Sequence, residues 1–570
     1  MLRIGIMLDS YSSTAWVAKI VRDIQASEFA RIELVVLNTP APARKIALGK
    51  RLKNYWNHSL YHRYEQWDYA RNRIEPDAKA ASDLSGALAG VLELAVHPVR
   101  NGFTDRIPED ELEIIRGHRL DVLLRFGFRI IRGGILDAAR YGVWSFHHDD
   151  NQEYRGGPPL FWEIYEQNPV SGTILQILNE SLDGGKVIYR GHSSTEKSSL
   201  YRNRNPIYWK TAEYMLRRLR DLDQRGMAYI HSLPTYNEKL SYDKSIYRTP
   251  DALQMLRFMG RIGMQSIRGR LRSIVRGQRP QWFVAVRARG ARSFNDASGY
   301  AIIAPQNNRF YADPFLIERD GKTYLFLEDY YFHDGRAAIS CCEISADGTP
   351  GQIKEVLRRP YHLSYPFLFE EDGEVFMIPE TKENRTIEMY RAVKFPDEWT
   401  LDTVLMKDIY GVDTTIYKER GGYWMFAATS NGRYSNSDEL SLFFSPALRG
   451  PWQPHPCNPI VSDVRRARPA GALFRDEQGR LIRPAQDCSK AYGYAIVFCE
   501  VGKLNETEYE EKPIARLEPN WVKDNLGSHT YTRTEHLEVI DGNFAAKVST
   551  ARPQEDPAPH AEPLRAKSDR

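Results

Sequence analysis

Cysteine is scarce. Cys341, Cys342, Cys457, Cys488 and Cys499 are the only five in 570 residues, and none has the paired spacing that zinc requires. A disulfide scaffold is excluded, and a reducing, cytoplasmic location is expected. Nowhere do eighteen apolar residues follow one another, so no membrane-spanning helix is expected. The opening MLRIGIMLDS stops at Asp9 and Ser10, an apolar run too short for a secretory leader. Surplus charge is missing as well: 78 Lys plus Arg face 74 Asp plus Glu, a balance of +4 that will not draw nucleic acid by bulk charge, and no nucleic-acid partner is expected. A P-loop and a Gly-rich dinucleotide fingerprint are absent, and adjacency makes His147 and His148 poor joint ligands, so no metal is expected either. What is present is apolar and aromatic: 42% hydrophobic residues, with 23 Phe, 11 Trp and 32 Tyr, enough for large cores in several domains.

Residues 1–235 alternate apolar runs with amphipathic stretches. Leu2 to Leu8, Arg31 to Leu37, Asp121 to Phe126, Gly142 to Phe146 and Thr173 to Leu178 read as strands. Thr14 to Ile24, Glu109 to Arg116 and Gly133 to Arg140 read as helices. That alternation predicts a mostly parallel α/β sheet covered on both faces.

Residues 281–543 change texture to short aromatic strands separated by Asp-Gly and Gly-Gly turns. The segments ADPFLIERDGKTYLFLED, SYPFLFEEDGEVFMIPET, VDTTIYKERGGYWMFAAT and RPAGALFRDEQGRLIRPAQD open at Ala312, Ser364, Val412 and Arg468, 52, 48 and 56 residues apart. A period near fifty with several strands per unit marks a β-propeller. Ser528 to Val539 supplies part of a fifth unit, which Gln281 to Val286 completes by closing the ring. The fold class is therefore an α/β open parallel sheet followed by an all-β five-bladed propeller. The tail, 544–570, is rich in Pro, Ala and charge and is expected to be disordered.

Residues 236–280 join the halves. Thr249 and Pro250 make an N-cap and first turn for a helix in which Leu253, Leu256, Met264, Ile267, Leu271 and Ile274 share one side. Ala252 to Asn295 holds ten Arg and no acidic residue. The segment reads either as a connecting helix docked on a domain or an acidic partner, or as an interfacial helix touching anionic membrane.

Chemistry concentrates in GVWSFHHDDNQEYRGGPPLFW, residues 142–162, and GTILQILNESLDGG, residues 172–185. In both, polar residues appear at once where a strand ends, the place where open α/β sheets carry their sites. Ser145 and His147 share a strand face, and Asp183 follows His147 by 36 residues in the next strand's loop, which makes an acid–base pair plausible.

His147, Tyr154-Arg155-Gly156 and Leu182-Asp183-Gly184-Gly185 resemble the motifs of the 10-formyltetrahydrofolate-dependent formyltransferases, with likeness over about residues 1–215. The resemblance implies a formyltransferase-like fold, 10-formyltetrahydrofolate as co-substrate, His147 and Asp183 as catalytic groups, and Ser145 at the position where the family has an oxyanion-binding Asn. It further implies folate contacts at Arg125, Phe126, Gly127, Phe128, Asn179 and Glu180. The acidic loop with Asp149, Tyr154 and Arg155 suits a cationic or hydroxyl-rich acceptor, so an amino sugar is expected.

The propeller segments resemble glycosidase-like five-bladed propellers and, more closely, the N-terminal domain of glucosamine inositolphosphorylceramide transferases. That likeness implies that Asp313, Glu380 and Asp413 converge on the axis. They would then hydrolyse a glycosidic bond, hold a glycan, or cap strand ends. Formyl transfer to an amino sugar or amino-sugar-containing glycan, with the propeller binding glycan, is the leading expectation. The alternatives are a hydrolytic or glycosyl-transferring propeller beside a degenerate α/β half, and a non-catalytic glycan or membrane-surface adaptor.

Overall fold

The computed structural model describes residues 1–39, 48–233, 245–276, 278–290, 293–419 and 421–547. The apolar run Leu2–Leu8 forms β1, an interior strand of a seven-stranded sheet, because a strand covered on both faces needs apolar residues nearly throughout. In chain order follow α1 (Ala15–Gln25), β2 (Ala30–Asn38), α2 (Leu48–Asn72), β3 (Leu92–Val96), α3 (Glu109–Gly117), β4 (Val122–Arg125), β5 (Val143–His147), β6 (Val170–Ile177), β7 (Lys186–Ser194) and α4 (Leu200–Arg225). Spatially the order is β7-β6-β5-β4-β1-β2-β3. The strands from β5 to β3 are parallel, whereas β6 joins β5 and β7 joins β6 antiparallel, so the sheet carries a mixed edge. Val17 and Ile20 of α1 and Tyr214 and Leu219 of α4 cover Ile4, Ile6 and Trp144 on one face; Leu112 and Ile115 of α3 pack with Leu34, Val36 and Leu123 on the other.

One expected helix is corrected. Gly133 to Arg140 yields only a 3₁₀ turn, Gly134–Asp137, closed by bonds from Leu136 N to Gly133 O (3.0 Å) and Ala138 N to Ile135 O (3.2 Å). The stretch is short, and Gly142 at φ +76° turns the chain into β5 before a further turn can form.

The joining helix α5 spans Ala252–Arg276. Its cap is Asp251, not Thr249: Gln254 N donates to Asp251 Oδ1 (2.8 Å) and Asp251 N to Gln254 Oε1 (2.9 Å), a reciprocal capping box. Met255 and Phe258 are buried against Tyr61, Tyr64 and Phe161, while Leu253, Leu256, Met264 and Ile267 are 57%, 57%, 53% and 59% exposed. The helix thus has a docked apolar side and an open one.

Five four-stranded sheets follow. The strands needed below are β8 (Gln278–Ala288), β9 (Arg309–Arg319), β10 (Lys322–Tyr331), β11 (Ser364–Glu371), β12 (Glu374–Glu380), β13 (Tyr410–Glu419), β14 (Leu481–Asp487) and β15 (Leu537–Lys547). β8 pairs antiparallel with β15, so the first and last strands share a blade and close the ring. This pairing corrects two expected edges: β8 begins before 281, and residues 544–547, read as tail, are strand, with Phe544 stacked on Phe283 at 4.2 Å. The rest of the expected tail lies outside the described residues.

The repeat has a structural cause. β9, β11 and β13 each carry a bulge at the same point, between Ala312 and Phe315, Ser364 and Phe367, and Val412 and Thr415. The bulged residues Asp313, Tyr365 and Asp413 have φ of +48°, +47° and +52°, and the kink turns their side chains toward the axis. Asp tolerates that left-handed backbone better than most residues, which suits it to two of the three positions.

The two halves meet through buried polar contacts. Arg217 forks onto Glu439 (2.9 and 3.0 Å), and Lys210 pairs with Asp438 (3.3 Å). His192 N donates to Ser462 O (3.0 Å) and Val464 N to His192 O (3.2 Å), so β7 borrows a strand-like partner from the propeller.

Candidate active site

Register pairs Arg125 with Ser145, and His147 lies two residues further along β5, so all three side chains leave the same face of the sheet at its carboxyl edge. Arg125 NH1 donates to Ser145 Oγ at 3.0 Å, and its NH2 donates to Phe128 O at 3.1 Å. His147, nine-tenths buried, places Nε2 at 3.0 Å from Tyr154 O, a carbonyl that only accepts, so the ring proton belongs on Nε2. Nδ1 then faces Asp183 Oδ1 at 3.6 Å as a lone pair. Two acceptors turned toward one gap leave room for a shared donor, and an amine is such a donor. The expected pairing of His147 with Asp183 is therefore met in space.

Asp183 is held in place by two hydrogen bonds. It sits in the loop after β6 at φ +52°; Gly156 N donates to its Oδ2 (3.1 Å) and Asn151 Nδ2 to its carbonyl (2.9 Å). Gly156 has φ +104°, and a Cβ there would lie 2.1 Å from Tyr247 O. Gly156→Ala is expected to lower stability by about 1–3 kcal/mol through backbone strain alone and to pull the N–H away from Asp183. A thermal melt and a turnover assay on the same sample check both effects.

The other expected positions divide. Phe126 is half-buried on the opposite face of the sheet from His147, its ring 6.0 Å from Trp16 and 6.4 Å from Phe146. Phe128 is core, packed with Leu112 and Ile131, and its N donates to Asp9 Oδ1 (2.8 Å). A Cβ on Gly127 would meet Asp9 N at 2.5 Å, so this glycine allows the loop to lie close against the end of β1. Asn179 turns back on its own loop, bonding Ser181 N and Gly184 O, and Glu180 accepts from Gly133 N (2.8 Å). These residues shape the loops near the His147–Asp183 pair.

Two expected substrate contacts are corrected. Asp149 is 3% exposed, accepts from Leu160 N (2.8 Å) and stands beside buried Glu163; burial first, then Glu163, pushes it well above the usual carboxylate range, so it is no part of an acidic mouth. The Tyr154 side chain is also buried, its hydroxyl on Glu166 Oε2 (3.2 Å), and its contribution to the site is the carbonyl under His147. Arg155 is half-buried, with Nε on Asn151 O (2.9 Å).

At the propeller axis Asp313, Glu380 and Asp413 converge as expected, in a buried network that also holds Arg468, His529 and Asp541. Arg468 donates Nε to Asp413 Oδ2 (2.5 Å) and NH2 to Asp413 Oδ1 (3.1 Å) and Glu380 Oε2 (3.4 Å), while Gln486 Nε2 adds a bond to Asp413 (2.8 Å). Burial lifts Asp413 to about 6 despite Arg468. Asp313 accepts from Thr530 Oγ1 (2.6 Å) and Tyr365 N (3.1 Å). Asp541 accepts from His529 N (2.7 Å) and Thr530 N (3.1 Å), and its other oxygen lies 2.5 Å from His529 Nδ1. Burial disfavours the imidazolium of His529, but Asp541 and Asp313 outweigh it and raise its pKa. A cavity of about 400 Å³ opens over this network, lined by Trp282, Phe310, Glu328, His362, Lys382 and Tyr492 among others.

Sequence reasoning missed Arg468, His529, Asp541 and Glu328. Arg468 was legible as the residue that opens the fourth repeat where a carboxylate stood in others; the rest come from strands outside the repeated openings.

The geometry defines a class: an α/β sheet with a His–Asp pair at its carboxyl edge, fused to a five-bladed propeller with a carboxylate-lined axis. Residues 296–547 match the family described as glucosamine inositolphosphorylceramide transferase 1, N-terminal. The chain is 36% identical over 212 residues to glucosamine inositolphosphorylceramide transferase 1 of Oryza sativa subsp. japonica, a match that covers 36% of this chain and 28% of that relative. It therefore spans under a third of that protein. It is also 29% identical over 122 residues to methionyl-tRNA formyltransferase of Chlorobium chlorochromatii, covering 21% of this chain and 37% of the other. Among solved structures, a family 117 glycoside hydrolase from Zobellia galactanivorans aligns over 47% of this chain and 92% of its own at 10% identity and a TM-score of 0.31.

Proposed function

We propose that the chain is an enzyme of the cytoplasm that transfers a formyl group from 10-formyltetrahydrofolate to the amine of an amino sugar or amino-sugar-containing glycan, with the propeller holding the glycan. The observation that carries this reading is the 3.6 Å approach of His147 Nδ1 to Asp183 Oδ1 at adjoining strand ends. The acceptor amine enters between these two acceptors, which orient its lone pair and take its proton as the new carbon–nitrogen bond forms; the bond from the formyl carbon to N10 then breaks, and tetrahydrofolate leaves with a proton returned to N10. Arg125 and Ser145 stand beside them as donors for the oxygen that gains charge. Holding both substrates in line supplies much of the acceleration. The likeness to a formyltransferase over the α/β half and to a glucosamine-named transferase over the propeller agrees with this pairing of parts. The test is formyl transfer from 10-formyltetrahydrofolate to a panel of amino sugars. No turnover on any member overturns it.

Axial hydrolysis is disfavoured by the Arg468 bridge, which ties Asp413 to Glu380 and, with Gln486, occupies both oxygens of Asp413. The adaptor reading contributes one element, a membrane contact. Leu253, Leu256, Met264 and Ile267 form an open apolar row, Arg257 is exposed on the same helix, and no acidic side chain follows Asp251 until Asp296. A bilayer carrying anionic headgroups fits that combination. No helix among the described residues is long and apolar enough to cross it. Co-sedimentation with vesicles containing phosphatidylserine is expected at low salt, weaker with phosphatidylcholine alone, and lost in the Leu253→Gln/Leu256→Gln variant. Concentration-dependent dimerisation through the same residues, without vesicle binding, overturns it.

A further inference from the structure

The axial cavity holds more negative charge than it neutralises. Asp313, Glu328, Glu380, Asp413 and Asp541 are each 7% exposed or less, and the buried cations beside them are Arg468 and His529. Arg468 is committed to Asp413 and Glu380, and His529 to Asp541 and Asp313. Lys382 stands at the rim, 3.9 Å from Glu380 Oε1.

Glu328, on β10, is the carboxyl left over. It is 6% exposed and lines the cavity. Its nearest ionisable neighbour is His362, with Nε2 at 3.3 Å from Oε1. His362 Nδ1 accepts from Ala337 N (3.3 Å), which puts the ring proton on Nε2 but adds no charge, since burial lowers the pKa of this imidazole. Burial first, then Asp313, Glu380, Asp541 and Asp413, pushes Glu328 well above the usual carboxylate range, so it ionises less readily than an ordinary glutamate.

We propose that the axial cavity is a binding site for a sugar bearing a free ammonium group, which Glu328 and Glu380 receive while the aromatic side chains about the rim take the sugar ring. The volume, about 400 Å³, suits a small ligand. Tyr492, half exposed, Trp282 and Phe310 supply the apolar faces that a pyranose covers, and Lys382 and Glu383 supply hydroxyl partners. A divalent cation fits less well. It needs several open carboxylate oxygens, whereas those of Asp313, Asp413 and Asp541 are already bonded to backbone N–H groups, Thr530, Arg468 or Gln486. An ammonium needs only the carboxyl that lacks a cation. The inference rests on the propeller holding a sugar and does not depend on formyl transfer.

An ammonium favours the ionised form of Glu328, whose pKa burial and its acidic neighbours raise, so binding is coupled to proton release and tightens as pH rises, until the ligand's own ammonium deprotonates. Calorimetry on the full chain with D-glucosamine, N-acetylglucosamine and glucose, in two buffers of different ionisation enthalpy, reads both quantities. Glucosamine is expected to bind at least tenfold tighter than either neutral sugar, with net proton release, and Glu328→Gln is expected to remove the preference and the release. That variant keeps the shape of the carboxyl and removes a buried acid, so its melting temperature should stay at least close to that of the parent, which separates lost recognition from lost folding. Equal binding of the three sugars overturns the ammonium site and leaves glycan binding standing. Binding of calcium alone, or of no sugar, overturns both.

Discussion

His147→Ala is expected to lower turnover of formyl transfer by about 10²–10⁴-fold, the range for one positioned acid–base group, with little change in the melting temperature. The imidazole contributes two separable things. Its Nε2–H fixes the ring on the Tyr154 carbonyl, and in the proposed reaction Nδ1 would meet the amine together with Asp183. Asp183→Asn is the sharper companion. An amide oxygen can still accept from Gly156 N, so the loop stays closed, but the charge that steadies a protonated amine is gone. If the two groups act on the same proton, the double variant falls about as far as the worse single one, since residues acting as a unit are non-additive. Additive losses would mean separate roles, and turnover indifferent to both substitutions would remove the chemistry from this sheet edge. Single-turnover rates with saturating 10-formyltetrahydrofolate distinguish lost chemistry from lost binding.

The sequence showed where these groups would meet because strand ends and period-two patterning are local signals: β1 and β5 are largely apolar runs, and polar residues follow each at once. The propeller was legible for the same reason multiplied, since the bulge recurs with its Asp or Tyr in each of three blades. What local pattern did not contain was partnership. Asp149 reads as a surface acid in HHDDNQ, yet the loop folds it inward to Leu160 N and Glu163, a contact of long chain separation. Phe128 and Gly127 read as a ligand wall and are instead shaped by Asp9, which ends a strand far away in sequence. Arg125 was expected to touch folate, and the register of β4 against β5 assigns it to Ser145. α4 escaped because its buried residues include Asn203, Arg204, Asn205, Lys210 and Thr211, a polar face satisfied by partners that only the fold supplies.

Those polar partners give the second large effect, at the junction of the halves. Glu439→Gln is expected to cost about 3–5 kcal/mol, the usual price of stranding one member of a buried ion pair, because Arg217 would keep its charge without the fork that now meets it at 2.9 and 3.0 Å. Burial pushes Glu439 up, but Arg217 more than offsets this and holds the carboxyl below the usual range. A lowered folded pKa means the pair's stabilisation is complete above the ordinary glutamate range and lost as pH falls through the lower folded value. The parent should therefore soften in acid while the variant, already lacking the pair, changes less there. Arg217→Met with Glu439→Leu replaces the pair by apolar volume and should recover most of the loss. The same junction reaches the candidate site through β7: Arg465 contacts His192, His192 Nε2 lies 3.1 Å from Asp150 Oδ2, and Asp150 anchors the loop that carries Asn151, Tyr154 and Gly156 to His147 and Asp183. Arg190 also pairs with Asp150. If the propeller braces the transferase loop in this way, Glu439→Gln lowers turnover at temperatures below its own melting transition, and the double apolar variant restores it. Turnover unaffected while the junction is weakened would show instead that the two halves share only stability.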